Sequence, residues 1–168
     1  MGSNHTLRTN SIKSTTNQIF LWVDYMPLKG PEMDIVALKG MLDDYARHFN
    51  SGNIEEWLSL WNRNGVNMMH SVPAIVGIDE IRIEMEPIFR NYTVELTINE
   101  ILDIIVDHDI GLTRCNYTLK MKNSKGKRVP GIPDGKTLTI YERQPDGSWE
   151  ITYDCSNSNS RRISFPSK

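Results

Sequence analysis

The chain has 168 residues, of which 39% are hydrophobic and 24% charged, with a formal net charge of -2. This balance suits one globular domain with a single core and excludes an intrinsically disordered chain. The slight negative charge argues against a nucleic-acid partner, which calls for a basic excess. No apolar run reaches the ~20 residues that span a bilayer, so no membrane partner is expected either.

Only two cysteines are present, Cys115 and Cys155, both in strand-like stretches where a free thiol behaves as a small hydrophobe. No Cys-x-x-Cys or His-x-x-x-His spacing occurs, and neither a metal nor an organic cofactor is implied. The N-terminus lacks a charged start followed by a long apolar stretch, so the expected compartment is the cytoplasm.

Residues 1–30 are rich in Ser, Thr and Asn and read as a flexible extension. The domain is expected over 31–159, with a flexible tail over 160–168. Ile35, Leu38, Leu42, Tyr45 and Phe49 recur every three or four residues and predict an amphipathic helix, ended by Gly52 in a left-handed cap. Asn53 with Glu56 predicts the start of a second helix, burying Ile54, Trp57, Leu58 and Trp61. A short strand is expected next, over 66–71. Asp79 caps a third helix carrying Ile81, Met85, Ile88 and Phe89, which Pro87 should kink or end.

From residue 92 onward the period changes to two. Strands are expected over 94–106, 112–121, 136–143 and 149–156, with a tight hairpin turn at 144–148. Leu102, Ile104 and Val106 alternate with Ile101 and Ile105, making both faces of that strand apolar. Helices first and strands last imply an α+β domain.

Three segments resemble a known family. Tyr45-Ala-Arg-His-Phe-Asn-Ser-Gly-Asn53 resembles the helix end of SnoaL-like and ketosteroid-isomerase-like proteins. Val76-Gly-Ile-Asp-Glu-Ile81 resembles the start of their third helix. Arg143-Gln-Pro-Asp-Gly-Ser-Trp-Glu-Ile151 resembles their final hairpin. The resemblance covers about 34–159. It implies an NTF2-like cone, with three N-terminal helices packed on a curved, mostly antiparallel sheet around an apolar pocket. It says little about activity, because this fold hosts catalysts and non-catalytic modules alike.

The resemblance places a hydrogen-bond-donating tyrosine at Tyr45, where the helical stripe equally predicts a core residue. It places carboxylates near Met69 and Thr139, where this chain has none, so steroid-type isomerase chemistry is not expected. His70 and Asp154 are the substitute proton acceptors. Strict alternation prevents Met69 and His70 from sharing a face, and it turns Asp154 away from the helices. Trp57, Trp61, Met69, Asn116 and Glu142 are candidate ligand contacts.

The expected function is binding of a small apolar or carbonyl-bearing ligand, with isomerase, lyase or cyclase activity by acid–base catalysis. The alternative is a non-catalytic ligand-binding or dimerisation module. A homodimer is expected under either reading.

Overall fold

A computed structural model describes residues 28–129 and 134–159. The residues expected as termini at 1–27 and 160–168 lie outside it. Leu28–Lys29, expected in the extension, form strand β1.

Helix α1 spans Glu32–Ser51 and buries Leu38, Leu42 and Phe49, as its 3.6-residue stripe requires. Gly52 ends it at φ 73, in the left-handed region that glycine enters without steric cost. His48 stands off this stripe yet is also buried. Helix α2 is short, Ile54–Leu58, and the Asn53 side chain caps it by accepting from the Glu56 N–H at 3.2 Å. Trp61, expected on this helix, instead opens β2 (Trp61–Met68).

After β3 (Ile75–Val76) comes α3, Ile78–Asn91. Gly77, rather than Asp79, occupies its N-cap, and the helix continues past Pro87. Two strands thus lie between the second and third helices, where a single strand is expected over 66–71.

Strands β4 (Tyr92–Asp107), β5 (Ile110–Asn123), β6 (Gly135–Arg143) and β7 (Trp149–Ser158) form an antiparallel meander. The whole sheet has seven strands in the order β1-β4-β5-β6-β7-β2-β3. β2 runs parallel to β7, and β1 runs parallel to β4. The fold is α+β with a mostly antiparallel sheet.

Three register shifts within the meander set which of its side chains face inward. β4 shifts between Ile98 and Glu100 and again between Ile101 and Asp103. Each extra residue flips the parity of the strand beyond it, so Ile98, Ile101, Ile104 and Val106 all face the core or cavity. The two-sided apolar reading of this strand is corrected accordingly: Ile101 packs inward, while Ile105 stays outside. The third shift sets Tyr141 opposite Ile151 but Ile140 opposite Tyr153, leaving Thr152 as the extra residue in β7.

Candidate active site

A cavity of about 110 Å³ lies between the helices and the inner face of the sheet. α1 supplies Leu42, Tyr45 and Phe49, and α3 supplies Met85. Leu96, Ile98 and Leu119 complete the apolar wall, and Tyr117 lies between it and the polar side. Tyr117 takes its place because residue 135 is glycine. A Cβ there would stand 2.3 Å from the Tyr117 ring.

The polar side is built by register. Asn67, Asp154, Thr139 and Thr113 stand opposite one another across β2, β7, β6 and β5. All four are buried. Thr137 and Thr139 both donate to Asp154 Oδ1, at 2.7 and 2.8 Å, and Tyr45 lines the same cavity. Thr113 and Tyr141 share a hydrogen bond of 3.1 Å.

Burial raises the Asp154 pKa above the ordinary carboxylate value, and the neighbouring hydroxyls of Thr137, Thr139 and Tyr45 offset only part of this. Burial, reinforced by the Asp154 charge, holds Tyr45 well above the usual phenol range, so it stays a neutral donor. Desolvation likewise pushes the Cys115 thiol up to about 12, leaving it unreactive at neutral pH.

Of the residues singled out in the sequence, Tyr45, Met69 and Asp154 line this cavity together. The Thr152 bulge turns Asp154 inward against simple alternation. His70 lies exposed in the turn after β2, outside the lining. Trp57 and Trp61 belong to the core. Trp57 packs behind the wall against Tyr45, Phe49, Phe89 and Trp61, with ring centroids 5.2 to 5.9 Å apart.

Asn116 and Glu142 are on the outer face, where Asn116 donates to Glu100 at 3.0 Å. Asn67, Thr137 and Tyr141 were not anticipated as lining residues. For the last two the signal was present, since Thr137, Thr139 and Tyr141 alternate along one strand. Among the described residues, no group of three or more His, Cys, Asp or Glu side chains could hold a metal ion.

No family model matches the sequence, and no curated protein matches it either. Solved structures do. A ketosteroid isomerase-like protein from Erwinia carotovora atroseptica superposes with a TM-score of 0.66 at 20% identity, over 78% of this chain and 100% of that one. A candidate dehydratase of the NTF2-like family from Streptomyces avermitilis gives 0.68 at 16% identity, over 79% and 100%. The chain has the NTF2-like fold.

A protein from Catenulispora acidiphila, in complex with S-DNPA, gives 0.62 at 13% identity, over 75% and 93%. At these identities the shared property is the NTF2-like fold itself.

Proposed function

We propose that the chain binds a small, largely apolar carbonyl compound in this cavity and moves a proton on it, as an isomerase, lyase or cyclase does. One observation carries this reading: the Asp154 carboxyl is buried beside Tyr45 at the polar side of an otherwise apolar cavity. A carboxyl whose neutral form is favoured by burial exchanges protons closer to neutral pH than a solvated one does. While Asp154 is ionised, the Tyr45 hydroxyl donates to it. Once Asp154 takes a proton, the Tyr45 O–H is released to donate to a ligand oxygen. Proton uptake and carbonyl polarisation are linked in this way. The cavity volume of about 110 Å³ is on the scale of the roughly 150 Å³ cavity that accepts benzene, which favours single-ring ligands.

The test is hydrogen–deuterium exchange at the α-carbon of phenylacetone in D2O, followed by NMR. The wild type should accelerate exchange, and Asp154→Asn should lower the catalysed rate by about 10²-fold or more. His70→Ala should leave it unchanged. Equal exchange rates with and without the wild-type protein would remove the catalytic reading.

A second reading, compatible with the first, concerns the outer face of the sheet. Ile105, Leu112, Ile140, Tyr153, Val66 and Val76 stand in register across six neighbouring strands. Tyr153 is 44% and Val76 60% exposed. An apolar stripe of this kind on an antiparallel sheet favours pairing with a second copy. If catalysis fails its test, dimerisation together with ligand binding is the function that remains.

A further inference from the structure

The buried polar row contains one member without a partner. Asp154 and Thr139 bond each other, and Thr113 bonds Tyr141. Asn67 is 2% exposed and lines the cavity, yet its Oδ1 is fully enclosed and has no hydrogen-bond partner. Leaving a buried amide oxygen unpaired is costly, and folded proteins rarely do so without cause. Its position adds to the case. Asn67 stands directly opposite Asp154 in the parallel pairing of β2 and β7, so the amide and the carboxyl occupy adjacent places on the same wall. An asparagine amide offers both an acceptor and a donor, and exchanging its O and N leaves that fact unchanged.

Building on the proposed ligand cavity, we propose that Asn67 tunes its specificity by favouring a ligand with a hydrogen-bond donor next to the carbonyl over a simple ketone. A primary amide fits this preference: its N–H pairs with the Asn67 oxygen and its oxygen accepts in return. A simple ketone of the same shape leaves the Asn67 oxygen unpaired in the complex, and polar sites reject analogues lacking the matching group for that reason.

Benzamide and acetophenone form a suitable pair of probes, differing only by an amino group in place of a methyl. Their dissociation constants are measured by calorimetry or ligand-observed NMR on the full chain. Wild type should bind benzamide at least about ten-fold more tightly than acetophenone. Asn67→Leu, with the same branching of side-chain heavy atoms, should bring the two affinities within about three-fold of each other. Near-UV circular dichroism reports whether the variant folds, and Asn67→Ala serves as a second variant.

Equal binding of the two probes by the wild type overturns this inference, as does a preference for benzamide that survives both substitutions. In either case the carbonyl-binding cavity stands. Failure of both probes to bind overturns the cavity reading along with it.

Discussion

Asp154 shows how much a single residue's role depends on one extra neighbour. Along β7, Trp149 and Ile151 are buried, and strict alternation would next bury Tyr153 and expose Asp154. With Thr152 as the extra residue the order reverses: Tyr153 is 44% exposed and Asp154 only 6%. The identity of the carboxylate was legible in the sequence. Its direction was not, because a bulge is fixed by the partner strand and leaves no local pattern.

The raised pKa of Asp154 has a definite consequence for stability. Its folded-state pKa lies above the ordinary 3.8, so between those two values the folded chain binds more protons than the unfolded one. Stability contributed by this group is therefore full below about pH 4 and is lost as pH rises through the folded pKa. Asp154→Asn removes that dependence. The melting-temperature difference, variant minus wild type, should increase from pH 4 to pH 8 in calorimetric scans. A difference that stays constant over this range would contradict the burial argument.

At the scale of elements, the cavity wall is pinned at two places. The Asn50 side chain donates from Nδ2 to the Leu96 carbonyl at 2.9 Å and accepts the Leu96 N–H at 2.6 Å, tying the end of α1 to β4. Leu96 and Phe49, the neighbours of this clamp, both line the cavity. Asn50→Ala leaves both partly buried backbone groups unpaired and should cost about 1–3 kcal/mol in urea unfolding. The sequence marks Asn50 as part of a helix end; that it reaches a strand 46 residues away is a tertiary fact.

The second pin is Gly135, over which the Tyr117 ring lies. Gly135→Ala should destabilise by about 1–3 kcal/mol through overpacking. In a Tyr117→Ala background the cost should shrink but not vanish, because the Asn157 carbonyl oxygen also stands only 2.8 Å from the added Cβ. A double-mutant cycle reads the difference.

For the whole molecule, the sheet order decides what can meet. Bringing β2 beside β7 sets Asn67 next to Asp154, although 87 positions separate them in the chain. The same pairing carries the outer apolar stripe from Tyr153 to Val66 and on to Val76. If that stripe pairs two copies, the double substitution Val76→Asp with Tyr153→Asp should turn a dimer into a monomer in sedimentation velocity, with the inward-facing cavity unaffected. A wild-type chain that sediments as a monomer at tens of micromolar would end this prediction. At one end of the domain, Arg143 joins α1 to the sheet, pairing with Asp34 at 2.7 Å and covering the Trp149 ring at 4.2 Å.

Local physics alone determined the elements that carry their own signals. The α1 stripe, the Gly52 cap, the Asn53 cap of α2, the four-strand meander and the 144–148 turn follow from periodicity and from residues suited to one backbone shape. Tyr45 was legible for the same reason, as part of the buried helical face. The tertiary structure decided which way the strand residues turn and which of them meet. The bulges in β4 and β7 reset the inside and outside of each strand, and the β2–β7 pairing assembled Asn67, Asp154, Thr139 and Thr113 from four strands. A polar site of that kind is written in register, and register is set by distant partners rather than by neighbours in the chain.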